Sequence, residues 1–583
     1  MIDPLSRLAI RHGTDKFGYH DYTPNYHKLF ERFRDRPVKV LEIGVGGYQD
    51  EDRGGQSLAT WRDYFPQAEI TGIDIQKKSL DLGPRVQILQ GSQIDAAFLA
   101  RLVAERGPFD LIIDDGSHRN EHVVESYRLL WPTLVPGGIY VVEDVQTAFM
   151  PRFGGSLSLD QPNSVGHFAN ILARMDSATD DPLIDDVGAI ERFHNMVALH
   201  KINPSVPRPG WESSNAFEPL AGLAVSIATN GLPMPKGNLG AKRLSSTSGS
   251  AAPDIALVDA ATATPASVEA AVAGLAMPGF AIISGRPDAA LTDWLVARFV
   301  EVDHREIAVG FPRAEVGPLA QEIRSVERHA DGVVIVKAPN DYPSNFAFDA
   351  DHPQAAEAIA QIEEVLKDCD EENGLVQFAS MLTNTRGREA AAPWLERLGR
   401  IGATSRVYFQ LASGLAQREK RLADAAALLG VALERFPCDP LFSVNRGGVL
   451  LQLGHLDEAA AVVDAALERA PRDTNLMIQR ARIAVRAGDI DLAVAQARRA
   501  VELSAPQRRD AAKIALSEML VAAGLLHEPL TILGEIAGTN SRYAEKAGRL
   551  LGALLDAPDT SKPAEDDETQ PALLADPSRR AAS

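Results

Sequence analysis

Cysteine is nearly missing: Cys369 and Cys438 are the only two in 583 residues, and they form no C-x-x-C spacing. That excludes a disulfide framework and a cysteine-rich zinc site, and it fits a reducing compartment. Long apolar runs are missing too. No stretch of about 18 consecutive apolar residues occurs, and the amino terminus, MIDPLSRLAIRHGTDKFG, has no basic segment followed by an apolar one. The sequence therefore predicts no membrane span, and a cytoplasmic protein is expected. Positive charge is in deficit, with 59 Lys and Arg against 79 Asp and Glu and a formal net charge of -20. Such a balance opposes attraction to nucleic acid or anionic lipid, so nucleic acid is not an expected substrate. The length exceeds what one core can organise and predicts roughly three to four domains.

What is present is concentrated between Phe109 and Asp144, FDLIIDDGSHRNEHVVESYRLLWPTLVPGGIYVVED. LIID and IYVV are continuous apolar runs of the kind buried in parallel sheets, and a helix-length segment separates them, so their carboxyl ends should lie side by side. Ligands of open α/β sheets bind at that edge. Asp115, Glu143 and Asp144 would gather up to three carboxylates there, a hard-oxygen set suited to Mg2+ or Mn2+ rather than zinc. His118, three residues past Asp115, is placed to take a proton from a hydroxyl held by the metal. The plainer reading is that strand ends are acidic because they meet solvent or cap the next helix.

Upstream, VKVLEIGVGG (residues 38–47) reads as a first strand breaking into a turn at Gly44, Gly46 and Gly47, where absent side chains let a ligand approach the backbone. A second strand, EITGIDI, carries Asp74, whose carboxylate could accept both ribose hydroxyls of a nucleoside. Two kinds of ligand fit, a dinucleotide or S-adenosylmethionine. The glycines run into YQDEDRGGQSL rather than directly into a helix, so no tight pyrophosphate cradle is evident, and S-adenosylmethionine needs none. A helix starting near Ser57 would offer its N-terminus, with Ser57, to the methionine carboxylate.

The stretches HGTDKFGYHDYTPNYHKLF, VLEIGVGG, GGQSLATW, GIDI, LQGSQID, IIDDGSH and VVEDVQTAFMP follow one another between about residues 8 and 203. In that order and spacing they closely resemble the O-methyltransferases of the mycinamicin and tylosin pathways, which methylate deoxysugar hydroxyls of macrolides with S-adenosylmethionine and a divalent cation. The resemblance implies a Rossmann-like class I methyltransferase domain. It implies Asp115, Glu143 and Asp144 as ligands of Mg2+ (or Mn2+), and His118 as general base. It also implies a cofactor site lined by Glu42, the Gly44–Gly47 turn, Asp74, Ser92, Gln93 and Asp114. The segment AFMPRFGGSLSLDQPNSVGHFANIL leaves the sheet beside this site and reads either as a substrate lid or as a passive crossover.

Residues 204–252, with PSVPRPG and SSTSGS, read as a partly flexible linker. Within residues 253–347, the segment 254–285 repeats the strand–helix–turn–strand order of the first domain's DLIIDDGSH to VVED stretch, and VERHADGVVIVK (326–337) lines up with IERFHNMVALHK (190–201). In this copy Ala260, Ser284 and Gly285 stand where Asp115, Glu143 and Asp144 stood, so a smaller, catalytically degenerate α/β domain is expected. Residues 348–557 read as an all-α tetratricopeptide solenoid. Ala391, Ala425, Ala459 and Ala493 keep a 34-residue period, as do Ala432, Ala466 and Ala500, Pro437 and Pro471, and Gly454 and Gly488. The tail after residue 557 should be disordered.

The sequence thus describes a multidomain methyltransferase acting on a sugar-containing acceptor, in a glycan, glycolipid or glycosylated metabolite. Its repeats would recruit a protein or carrier partner or support a homo-oligomer. The alternatives are a scaffold built on an inactive methyltransferase fold, a related hydroxylase, and a methyltransferase of a non-sugar diol.

Overall fold

The computed structural model of the protein describes residues 2–156, 163–175, 177, 179–247, 251–303, 317–339, 351–539 and 541–555. The tail expected to be disordered, and part of the segment read as a lid, lie outside them. The chain divides into two compact units, Met1–Gly374 and Leu375–Ser583.

The first unit is organised by one thirteen-stranded sheet. Its first half contains β1 (Lys39–Ile43), β2 (Glu69–Asp74), β3 (Val86–Gln90), β4 (Phe109–Asp114), β5 (Leu134–Glu143), β6 (Val187–Phe193) and β7 (Met196–Lys201). Its second half contains β8 (Ala224–Ala228), β9 (Arg243–Ser246), β10 (Ile255–Asp259), β11 (Gly279–Ser284), β12 (Ile323–His329) and β13 (Gly332–Lys337). The central strands are apolar throughout because both faces are covered: along β4, Leu111 and Ile113 enter one core and Ile112 the other, and along β5, Ile139 and Val141 alternate with Tyr140 and Val142. Local signals start the covering helices. Asp95 accepts hydrogen bonds from the amides of Ala97 and Phe98 at the head of Ala96–Arg106, and Thr264 and Ser267 form a capping box at the head of Pro265–Ala273.

The strand order is β3-β2-β1-β4-β5-β7-β6-β12-β13-β11-β10-β8-β9. Apart from β3, it reads alike from both ends. β4–β5 and β10–β11 are parallel, β5–β7 and β11–β13 antiparallel, and β6–β7 and β12–β13 antiparallel hairpins. At the junction β6 pairs with β12 antiparallel, with Glu191 opposite Glu327, Ile190 opposite Arg328 and Arg192 opposite Val326. With the sequence echo superposed, Glu327 corresponds to Glu191 and Arg328 to Arg192, so a pseudo-dyad passes through the Glu191–Glu327 pair. Helices from the two halves, Ser164–Arg174 and Ala289–Glu301, also pack on each other. This is the pairing of a two-fold dimer, made within one chain.

Two expected boundaries differ from the structure. Residues 204–252 contain β8 and β9, and Trp211, Phe217, Leu220, Val225 and Ile227 are buried against Phe280 and Ile282 of β11. The proline, serine and glycine of this stretch shape turns and short 3-10 segments, while the aromatics anchor it; it is part of the second half rather than a linker. The first unit also extends beyond residue 347, because the helix Ala355–Leu366 packs on Pro4–His12.

The second unit is entered within the helix Glu372–Thr385 and continues with Arg388–Arg400. Antiparallel pairs follow: Arg406–Arg418 with Leu422–Arg435, Pro440–Leu453 with Leu456–Arg469, Thr474–Arg486 with Ile490–Leu503, and Pro506–Ala522 with His527–Ala537. The helix Ala544–Leu555 completes the described part. Ala425, Ala459, Ala493, Ala432, Ala466 and Ala500 are fully buried, so the alanine period marks where paired helices approach. Asp439 and Asp473, one period apart, cap the first helices of successive pairs.

Candidate functional site

β1, β4 and β5 end together, and the residues just past them form the site. Gly44 (φ 94°) shows why glycine is needed: a Cβ there would lie 2.0 Å from the carbonyl oxygen of Asp115. The turn lets β1 and β4 exit side by side. Gly46 faces more open space, its nearest neighbour being the Cα of Gly54 at 3.9 Å. Three non-glycine residues near the centre, His118 (φ 54°), Asp144 (φ 53°) and Asn195 (φ 57°), hold the left-handed backbone region, a strained arrangement that clusters at functional sites.

His118, Asp115 and Asp144 converge. The Nε2 of His118 is 3.5 Å from Asp144 Oδ2 and 3.8 Å from Asp115 Oδ1. These three side chains have donor atoms within 4.8 Å of one another, a spacing able to hold a metal ion. The remaining carboxylate oxygens are spoken for. Asp144 Oδ1 accepts hydrogen bonds from Tyr22 Oη (2.7 Å) and Asn195 Nδ2 (2.9 Å), and Asp115 Oδ2 accepts from Lys16 Nζ (2.6 Å). The two free oxygens and the imidazole therefore share one opening.

Glu143, expected as a third ligand, is placed differently. Both of its oxygens accept from Lys16 Nζ at 2.7 Å, and Oε1 also accepts from Tyr26 Oη at 2.5 Å. Among the described residues it is not part of the Asp115–His118–Asp144 cluster, and the buried ammonium of Lys16 takes both of its oxygens. Lys16 also lies 3.6 Å from Glu42 Oε1. Burial pulls the Lys16 ammonium down, but Asp115, Glu143 and Glu42 more than offset it and hold its pKa well above the ordinary lysine value. Burial, then the charge of Asp115, pushes Glu143 well up, against Lys16 and Tyr26. Asp144 goes the other way: burial raises it, yet His20, His118 and Tyr22 bring it below the usual aspartate value. Glu42, Asp115 and Glu143 thus face one lysine, with Asp144 close by, and this concentration of carboxyl groups is an electrostatic setting able to hold a divalent cation.

The residues expected around a cofactor gather beside this opening, several of them as braces. Asp74 accepts from the amides of Val45 (3.0 Å) and Gln76 (2.8 Å), fixing the glycine turn. Gln93 donates to Asp114 (3.1 Å) and Ser126 (2.8 Å) and accepts from the amide of Ser117 (2.8 Å), so it positions the loop that carries His118. Asp114 is buried and pushed up to about 7 by that burial. Ser92 is half-buried. Ser57, expected to meet a carboxylate, instead donates to Glu42 Oε2 at 2.8 Å. Glu42 is fully buried, and burial outweighs Lys16 to push it up to about 7.

Lys16, His20, Tyr22, Tyr26 and Asn195 received no role from the sequence. The first four lie in HGTDKFGYHDYTPNY, where the density of Lys, His, Asp and Tyr was the available signal. Asn195 sits in the β6–β7 turn and carries none. The lid reading meets short 3-10 turns, Val145–Phe149 and Pro151–Phe153, followed by the helix Ser164–Arg174.

Residues 48–145 match the family described as methyltransferase domain, and residues 416–479 match tetratricopeptide repeat. Among curated proteins, the chain is 52% identical over 154 residues to 8-demethyl-8-(2-methoxy-alpha-L-rhamnosyl)-tetracenomycin-C 3'-O-methyltransferase of Streptomyces olivaceus, covering 26% of this chain and 39% of that protein. It is 49% identical over 152 residues to mycinamicin VI 2''-O-methyltransferase of Micromonospora griseorubida, covering 26% and 38%. Among solved structures it resembles the MycE methyltransferase of the mycinamycin pathway in complex with Mg, SAH and mycinamycin VI, at 39% identity, covering 36% of this chain and 57% of that one with a TM-score of 0.33. The chain spans less than half the length of these two curated relatives. It carries a methyltransferase domain with sugar O-methyltransferase relatives, followed by tetratricopeptide repeats.

Proposed function

From a methyltransferase domain whose relatives methylate sugars, we propose that this protein transfers a methyl group from S-adenosylmethionine to a sugar hydroxyl of a glycan, glycolipid or glycosylated metabolite. The observation that carries the reading is the shared opening of Asp115 Oδ1, Asp144 Oδ2 and His118 Nε2 at the carboxyl edge of the sheet. Asp115 and Asp144 would hold Mg2+ or Mn2+, with Glu143 joined to Asp115 through Lys16. A bound cation lowers the pKa of a coordinated hydroxyl and fixes its direction. His118 takes the hydroxyl proton at Nε2, with Asp144 beside it to stabilise the imidazolium. Tyr22 and Asn195 hold Asp144 in place, and Gln93 holds the His118 loop. Glu42, the Gly44–Gly47 turn, Asp74, Ser92, Gln93 and Asp114 surround the place proposed for the cofactor.

The repeats would recruit a protein or carrier partner, and a cytoplasmic setting is part of the same proposal. No helix among the described residues is long and apolar enough to cross a membrane.

The test is methyl transfer from radiolabelled S-adenosylmethionine to a panel of glycosylated acceptors and non-sugar diols, with and without EDTA. Transfer to sugars that EDTA abolishes and Mg2+ restores supports the reading. Full activity in EDTA, or transfer only to the diols, overturns it.

A further inference from the structure

The second half of the sheet has Ala260, Ser284 and Gly285 where the first has Asp115, Glu143 and Asp144, yet it reaches the candidate site from two directions. Arg324 of β12 donates to Asp21, next to Tyr22 in the loop that also carries Lys16 and His20. Asp303, just past the helix Ala289–Glu301, reaches the β6–β7 turn. Its Oδ1 accepts the backbone N–H of Asn195 at 2.7 Å, and its Oδ2 accepts from the guanidinium of Arg192. Arg192 donates further to the carbonyls of Phe193 and Met196, on either side of the turn, and of Phe299 in the second half. Both Arg192 and Asp303 are fully buried.

The turn so clamped carries Asn195 in its left-handed conformation. The side chain of Asn195 accepts from the amide of Gln146 (2.9 Å) and donates to Tyr22 and to Asp144 Oδ1 (2.9 Å). A continuous set of hydrogen bonds therefore runs from Asp303 to Asn195 to Asp144. One of the two carboxylates facing His118 is bonded to a side chain, Asn195, whose backbone N–H is held by a residue of the degenerate half.

We propose that the second α/β half is a built-in support for the candidate metal site, with Asp303 as a positioning residue that acts through Asn195 on Asp144. This rests on the metal-dependent reading of the site given above. It also assigns the second half a function: in a two-fold pair of equal halves each would carry a site, whereas here one half has Ala260, Ser284 and Gly285 in place of the three carboxylates and keeps its contacts. Groups that orient a ligand typically change metal affinity by about tenfold to a hundredfold when lost.

The experiment titrates the full chain with Mn2+ alone, without cofactor or acceptor, by electron paramagnetic resonance, with circular dichroism as the check on folding. Asn195→Gly keeps the turn conformation and the N–H that Asp303 accepts, but removes the bond to Asp144; a loss of about tenfold or more in Mn2+ affinity is expected. Two paired variants remove the buried charges together. Arg192→Met with Asp303→Leu deletes the acceptor for Asn195 and should weaken Mn2+ to a similar degree. Arg192→Met with Asp303→Asn retains an oxygen acceptor and should restore affinity to within about threefold of the unaltered protein. Adding Asn195→Gly to the leucine pair should cost little more, since the two act in series. Unchanged affinity in Asn195→Gly, or equal affinity in the leucine and asparagine pairs, overturns the proposal. Absence of Mn2+ binding in the unaltered protein removes the metal reading itself, and this proposal with it.

Discussion

Glu42→Gln is expected to stabilise the protein at pH 8 while weakening its hold on the cofactor. Glu42 is fully buried, and its carboxyl is pushed from 4.5 up to about 7, mainly by loss of water and against the pull of Lys16. In the unfolded chain the group loses its proton near 4.5, while the folded protein keeps it until about pH 7. Between those values the folded state binds more protons than the unfolded one, so this group's contribution makes stability fall as pH rises. Below pH 4.5 it costs nothing. Above pH 7 the full difference between 4.5 and about 7 applies, about 3–4 kcal/mol. Glutamine resembles the protonated acid in shape and stays neutral, so the gain over the parent should be near zero at pH 4.5 and approach about 3–4 kcal/mol at pH 8. Urea unfolding of the two proteins at half-unit steps of pH measures that difference directly. A variant equally or less stable than the parent at pH 8, or a gain that does not change with pH, refutes the argument. Weaker S-adenosylmethionine binding in the more stable variant would mark Glu42 as a group kept for function at the expense of stability.

Other substitutions test other parts of the site and the fold. His118→Ala should lower turnover by about 10^2- to 10^4-fold with metal and cofactor binding retained; turnover at the parental rate means His118 is not the base. Lys16→Met leaves Glu143 and Asp115 without their buried cation and should cost about 3–5 kcal/mol in urea unfolding near neutral pH. A parental midpoint there would show that the ammonium is not needed. In the repeats, Ala459 is fully buried between helices, and Ala459→Leu should destabilise the second unit by about 1–3 kcal/mol, read by thermal denaturation.

The elements most legible in the sequence were those set by short-range pattern. Buried parallel strands need apolar side chains on both faces, so LIID and IYVV could be read directly, and the acidic residues after them were bound to meet at the carboxyl edge. The 34-residue alanine period was equally direct, because helix pairs that pack closely admit only small side chains at fixed intervals. The stretch 204–252 has the composition of a linker because proline, serine and glycine mark turns, and composition does not say whether Trp211 and Phe217 have a core to enter.

What the sequence alone determined was therefore the set of groups and the edge on which they gather: Asp115, His118 and Asp144 at the ends of β4 and β5, with the glycine turn beside them. Tertiary structure decided how each group is used. Lys16 is 127 residues from Glu143, yet takes both of its oxygens. Ser57 turns to Glu42, and Asp303 acts on Asn195 from 108 residues away. Each acidic oxygen takes whichever donor the fold brings within about 3 Å, and donors that arrive from distant strands leave no periodic trace in the chain.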